Sequence, residues 1–329
     1  MSPKLVSNTY TSVFYKNKMK KRKIILDMDT GIDDALAIIL ALKSPEIEIL
    51  GITTVAGNAP VRLCSINTLR ILEYLNITDI PVIEGMEEPL KQAFAGALGY
   101  HGSDGLGEIK LPPPKLHTQS TTAWEFIAES VSKNQGELIL VATGPLTNIA
   151  VALNHIPGLA SSLSGIVLMG GAYGLTQYGK GNRTPFAEFN IWQDPEAAKI
   201  VFDSQSVISA AGLDVSMDPT ACLTGCHLEQ IQKYNTPHAR LAAKLIEYII
   251  SRHTHCELHD PLALAAVLDT SLFGFLSAPV EIITGDGWDR GITRVLPKTE
   301  ETGPPPVYIA NTIDGERFVK LFLSRLRDA

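Results

Sequence analysis

Short apolar runs alternate along this chain with stretches whose apolar residues return every three to four positions. The runs Lys23–Met28, Ile47–Val55, Ile80–Ile83, Leu138–Ala142, Ile166–Met169, Val207–Leu213 and Val280–Ile283 read as strands, several of them Val/Ile-rich on both faces. Strands apolar on both faces belong in a parallel sheet that is covered on each side. The segments Asp34–Leu42, Leu63–Leu75, Thr122–Lys133, Asn148–Leu153, Pro195–Phe202 and His238–Arg252 between them have helical spacing. This order predicts an α/β fold with a doubly wound, mostly parallel central sheet flanked by helices. Ligands of such sheets sit beyond the carboxyl ends of the strands, near the point where strand order reverses. Function is therefore sought in the residues that follow each run.

No stretch rich in Pro, Gly or Ser divides the 329 residues, and Pro112–Pro114 and Pro304–Pro306 read as rigid loop segments. A single large domain over residues 23–329 is expected. The longest apolar run, Ala35–Leu42, falls far short of the roughly 20 residues that cross a bilayer. Seven of the 28 basic residues and none of the 35 acidic ones lie in residues 1–23, so the remainder carries −14 against −7 for the whole chain. A body this acidic repels polyanions, which argues against nucleic acid or an anionic membrane as partner and for small neutral or cationic ligands. Residues 1–22 read as a basic solvated tail, with organelle import as the alternative. Nothing resembles a secretory leader, so the expected location is the cytoplasm. Cys64, Cys222, Cys226 and Cys256 are too sparse for a disulfide framework and lack zinc spacing, and read as free thiols.

The first strand runs into Asp27-Met-Asp-Thr-Gly-Ile-Asp-Asp34, four carboxylates within eight positions. Asp33 and Asp34 suit a helix start, where free amides and the dipole stabilise acids. That explanation leaves out Asp27 and Asp29, which point the same way along an extended strand. A hard cation between strand end and helix start would relieve the repulsion. An EF-hand is excluded, because counting from Asp27 the glycine, Gly31, is fifth instead of sixth and Ile38 takes the place of the twelfth-position Glu. Asp27-Met-Asp-Thr30 does satisfy the opening motif of haloacid-dehalogenase-like phosphatases, which use Mg²⁺, and Gly285-Asp-Gly-Trp-Asp289 faintly imitates their later acidic motif.

A longer match competes with it. Asp27-Met-Asp-Thr-Gly-Ile-Asp-Asp-Ala35 resembles the signature of the nucleoside hydrolases of the inosine-uridine preferring family. The resemblance continues in order through Thr53-Thr-Val-Ala-Gly-Asn58, His101-Gly-Ser-Asp-Gly-Leu-Gly107, Thr143-Gly-Pro-Leu-Thr-Asn148, Leu168-Met-Gly-Gly171, Ala187-Glu-Phe-Asn190 and His259-Asp260. The phosphatase reading explains only the first of these pieces.

The resemblance implies a Rossmann-like α/β enzyme that hydrolyses the N-glycosidic bond of ribonucleosides to base and ribose, in nucleoside catabolism and purine and pyrimidine salvage. It implies a Ca²⁺ ion held by Asp29, Asp34, Asp260 and the main-chain oxygen of Thr143, with coordination positions left for water and ribose hydroxyls. Asp29 would activate the water and His259, beside Asp260, would protonate the departing base. Ribose recognition maps onto Asp33 and Asn58 for the 2′ and 3′ hydroxyls, Asn190 for the 3′ side, and Asn182 with Glu188 for the 5′ hydroxyl. The loop before Asn182 is longer than the family's common version. Met169 and Phe189 are read as pocket wall or core, and His101 as a pocket or lid contact or a surface histidine. A homodimer or homotetramer is expected. The remaining rivals are the phosphatase, with Asp27 as nucleophile, and a nucleoside-binding protein without turnover.

Overall fold

The structure is a computed structural model that describes residues 20–297 and 305–327. Most of the expected tail therefore lies outside the described residues. Of its end, Lys20 pairs with Glu137 and Arg22 already opens the first strand.

One sheet of nine strands forms the middle layer, in the order β3-β2-β1-β4-β5-β6-β9-β7-β8. These are β1 Arg22–Met28, β2 Ile47–Thr54, β3 Val82–Glu84, β4 Leu138–Ala142, β5 Gly165–Met169, β6 Ile208–Ala211, β7 Phe273–Ile282, β8 Thr293–Val295 and β9 Pro306–Ile313. The pairings from β3 across to β9 are parallel, and β7 then runs antiparallel to both β9 and β8. Expectation and structure agree on a single α/β layer architecture with a mostly parallel centre.

Strand alternation divides the core into two layers. Ile24, Leu26 and Met28 of β1 and Ile139 and Val141 of β4 pack on one face with the helices Ile32–Leu42, Pro237–Ile250 and His259–Leu268. Ile25 of β1 and Leu138, Leu140 and Ala142 of β4 pack on the other with the helices Ala123–Lys133, Thr147–His155 and Pro195–Phe202. Both faces of the central strands are thus dry, as their composition requires.

Several boundaries differ from expectation. The run Val207–Leu213 ends as a strand at Ala211, because Leu213 already begins the helical turn Leu213–Ser216. Val280–Ile283 is the tail of the longer β7, whose earlier half is only partly buried and so less apolar in sequence. The helix His259–Leu268 was not expected, for every residue from Asp260 to Leu268 is buried and no amphipathic period exists to be read. The helix Gly315–Arg327 does carry its period in Phe318, Val319, Phe322, Leu323 and Leu326, yet was also not expected. Among the described residues no helix is long and apolar enough to cross a membrane, and all four cysteines are free thiols.

Asp27 shows what the alternation does at the end of β1. It shares parity with Ile25, so it enters the second layer, where Asn148 Nδ2 and Thr53 Oγ1 donate to its Oδ1 at 2.7 and 2.6 Å. The strand stops at Met28, so parity does not extend to Asp29, and the expected common direction of the two carboxylates is not observed. Asn148 also donates to the Thr54 carbonyl and accepts from the Met86 amide, tying three chain segments together. Asn148→Ala would take a partner from the Thr54 carbonyl and the Met86 amide and leave Asp27 Oδ1 with Thr53 alone, and is expected to lower stability by about 3 kcal/mol. Urea denaturation measures this, and an unchanged midpoint would show that the three segments do not depend on the amide.

Candidate active site

Strand order reverses between β1 and β4: the chain leaves β1 for β2 and β3 on one side, then crosses back to β4 on the other. The crevice at their carboxyl ends is where a doubly wound sheet places its ligand. Asp29 follows β1, Thr143 follows β4, and the helix Ile32–Leu42 supplies Asp33 and Asp34 from its first turn. Asp260 arrives from the other direction, on the first turn of the helix His259–Leu268, which is buried from Asp260 onward.

The carboxylates of Asp33, Asp34 and Asp260 place oxygens within 4.8 Å of one another. Asp34 Oδ2 accepts from the Gly31 amide at 2.8 Å and its Oδ1 from the Thr143 hydroxyl at 2.7 Å. The Asp260 carboxylate lies beside that of Asp34. Asp29 Oδ2 accepts from the Asn58 amide at 2.7 Å. The chain closes tightly on that carboxylate. A Cβ at Gly57 would run into Asp29 Oδ2, and one at Gly144 would lie 2.9 Å from Oδ1, so both loops need glycine here.

Burial drives the electrostatics. Asp34 is pushed up to about 7, first by desolvation and then by the charge of Asp33. Asp29 and Asp260 are raised well above the ordinary carboxylate range, again by burial first, with Asp34 leading the charges on Asp29 and Asp33 those on Asp260. Asp29 Oδ1 and Asp33 Oδ1 are buried with no hydrogen-bond partner. Orphaned oxygens among crowded carboxylates are the arrangement a hard cation satisfies. All donors on offer are oxygens, the Thr143 carbonyl among them, although it also accepts from Asn190 Nδ2 at 2.8 Å. A carbonyl oxygen has a second lone pair for a metal.

Above this cluster opens a cleft of about 380 Å³. Asp33, Asn58, His101, Thr143, Met169, Asn182, Glu188, Phe189, Asn190, His259 and Asp260 all line it, while Asp29 and Asp34 lie beneath, 1% and 0% exposed. The long loop does deliver Asn182, whose Oδ1 accepts from the Phe189 amide at 2.9 Å. Glu188 has a second task. It caps the helical turn Phe189–Gln193, Oε1 accepting from Asn190 N and Oε2 from Ile191 N and Gly171 N, and burial raises its pKa. Met169 and Phe189 are cleft wall, and Met169 also belongs to the core on one face.

His101 is buried in the cleft and is not a surface histidine: its Nδ1 accepts from the Ile32 amide at 3.1 Å, and burial lowers its pKa. His259 Nδ1 lies 2.8 Å from Ser216 Oγ, which leaves Nε2 as the ring nitrogen available to a ligand. Tyr100, Arg183, Met217, Glu257 and Ala97 also line the cleft and were not expected. Three of them stand within two residues of a motif residue, a signal that could have raised them; Met217 and Ala97 have no such neighbour.

Asp27 settles the phosphatase reading. It is fully buried in the layer of Asn148, lines no part of the cleft, and cannot attack a phosphoester.

The model of the inosine-uridine preferring nucleoside hydrolases matches residues 24–320. The chain belongs to that family. A protein of Salmonella arizonae named pyrimidine-specific ribonucleoside hydrolase RihA is 38% identical over 311 residues, covering 92% of this chain and 98% of that one. The solved plant nucleoside hydrolase PpNRh1 superposes with a TM-score of 0.87 at 33% identity, covering 94% of this chain and 99% of that one. The purine-preferring ribonucleoside hydrolase from Gardnerella vaginalis gives 0.86 at 33%, covering 93% and 98%. This family member is accordingly a ribonucleoside hydrolase, an N-glycosidase.

Raised pKa values set the pH behaviour of the cluster. A carboxyl whose folded pKa is raised contributes stability fully present below its unfolded pKa and lost as pH rises through the folded value. With divalent cations chelated, thermal stability is expected to fall as pH rises through about 7, the value reached by Asp34. Added divalent cation should restore it and release protons, because a cation binds carboxylates in their deprotonated form. Calorimetry in buffers of different ionisation enthalpy detects those protons; binding without proton release would contradict the assignment.

Proposed function

We propose that the protein is a calcium-dependent hydrolase of ribonucleosides, purine, pyrimidine or both, such as inosine or uridine. The observation that carries this reading is the pair of orphaned carboxylate oxygens, on Asp29 and Asp33, at the floor of a cleft lined by Asn58, Asn182, Asn190 and His259. Asp29, Asp34, Asp260 and the Thr143 carbonyl would hold the ion, with Asp33 beside them in the cleft lining. An all-oxygen set that leaves positions open suits Ca²⁺, which takes about six to eight ligands. When bound, the cation neutralises the crowded carboxylates and lowers the pKa of a neighbouring water.

Asp29 then takes a proton from that water as its oxygen attacks C1′ of the ribose. The electrons of the C1′–N bond leave with the base. His259 hands a proton to the base nitrogen that receives them, with Ser216 fixing the ring. Positive charge on the sugar in the transition state is stabilised by the surrounding carboxylates, as in glycoside hydrolysis. Asp33 and Asn58 hold the 2′ and 3′ hydroxyls, Asn190 the 3′ side, and Asn182 with Glu188 the 5′ hydroxyl. His101, Met169 and Phe189 shape the cleft around the substrate. The same reading places the enzyme in nucleoside catabolism and salvage in the cytoplasm, as a homodimer or homotetramer. The resemblance to the family supports the catabolic role and the oligomeric state.

Asp29→Asn keeps the shape and removes the base, and is expected to cut kcat by at least about 10³-fold. His259→Ala should cost far more on natural nucleosides than on a nitrophenyl riboside, whose leaving group needs no proton. Both are read by steady-state release of ribose or nitrophenol. Near-normal turnover by Asp29→Asn, or an equal loss on both substrate types for His259→Ala, would overturn the roles assigned.

A further inference from the structure

Two residues before His259, and facing the same cleft, stands a carboxylate that the reaction above does not use. Glu257 and His259 both line the cleft, while Leu258 between them turns into the core. The Glu257 side chain is 14% exposed and is held from two sides. The Tyr100 hydroxyl donates to its Oε2 at 3.2 Å, and His255 Nε2 lies 3.2 Å from its Oε1. Tyr100 is itself set between two rings, with His101 edge-on at 5.0 Å and His253 tilted at 5.4 Å.

This wall is remote in character from the acidic floor. The floor carboxylates crowd one another, with Asp34 and Asp260 buried, whereas Glu257 has a tyrosine and a histidine as neighbours and keeps a lone pair on each oxygen. A carboxylate held in place can only accept hydrogen bonds. It therefore favours a ligand edge carrying N–H and opposes one carrying a lone pair or a methyl group. His259 marks where the base must lie if it is to be protonated on departure, so Glu257 faces the base and not the sugar.

We infer that Glu257 is a specificity-determining residue that accepts a hydrogen bond from a ring N–H of the nucleobase, with Tyr100 and His255 as its positioning residues. The inference rests on the hydrolase reading above. It gives the cleft a test for the protonation of the base's ring nitrogen, independent of whether the base is a purine or a pyrimidine. A site built to hydrogen-bond a substrate group rejects the analogue that lacks it, because its own buried polar group is then left unpaired.

The experiment compares kcat/KM for inosine with 1-methylinosine, and for uridine with 3-methyluridine, in the wild type, Glu257→Gln and Tyr100→Phe. Each methylated partner lacks the ring N–H and keeps the sugar and the glycosidic bond. Glutamine keeps the size of the side chain, so any steric penalty on the methyl group is retained while the charged acceptor is lost. The ratio of unmethylated to methylated substrate is expected to fall about tenfold in Glu257→Gln, the difference between a charged and a neutral acceptor. Tyr100→Phe should lower the same ratio to a smaller extent. An unchanged ratio, with both members of a pair slowed equally, would show that Glu257 only supports the wall and would overturn the inference. Ribose from no nucleoside with the wild-type calcium-loaded protein would overturn the hydrolase reading, and this inference with it.

Discussion

Mutual repulsion among buried carboxylates is the constraint around which this molecule is arranged. Asp29, Asp34 and Asp260 meet beside Asp33 at the switch point of the sheet, where desolvation alone makes the charges of the three buried carboxylates expensive. The surroundings partly compensate. The amides of Gly31 and Asn58 and the hydroxyl of Thr143 all point at these oxygens. Gly57 and Gly144 give up side chains so that two loops can close over Asp29. Compensation is nevertheless incomplete, since one oxygen of Asp29 and one of Asp33 have no hydrogen-bond partner. A cluster left in that condition is organised for a charge of opposite sign.

The elements farther out serve to bring the ligand-facing side chains to this floor. The helix His259–Leu268 is buried along its length, which fixes Asp260 against the cluster and His259 against the cleft in one rigid step. The short turn Leu213–Ser216 holds both the histidine and the long loop. Ser216 reaches His259, and Asp214 accepts from the amides of Tyr173, Leu175 and Thr176. That anchoring holds the loop that delivers Asn182. Asn190 works in the same manner from the opposite wall, its amide bridging the ends of β4 and β5 through the carbonyls of Thr143 and Met169.

Much of this was legible in the sequence because parallel strands buried on both faces announce themselves as apolar runs, and because the acidic motif sits where such a sheet binds its ligand. Elements whose burial is uneven were harder. The antiparallel edge formed by β7 and β8 is half exposed and lacks the continuous run, and the helix carrying Asp260 is too uniformly apolar to show a period. Asp27 looked like part of the metal cluster by spacing, but strand parity sends it into the opposite core layer. Tyr100 and Glu257 belong to no motif, and only the three-dimensional cleft brings them together.

The acidic floor needs a cation before the cleft can act. The most direct test is ribose release from a panel of inosine, uridine, adenosine and cytidine by the purified protein, before chelation, after it, and after calcium is returned. Ribose from at least one nucleoside, its loss on chelation and its recovery with calcium are the expected result. Undiminished ribose release by fully chelated protein would contradict it.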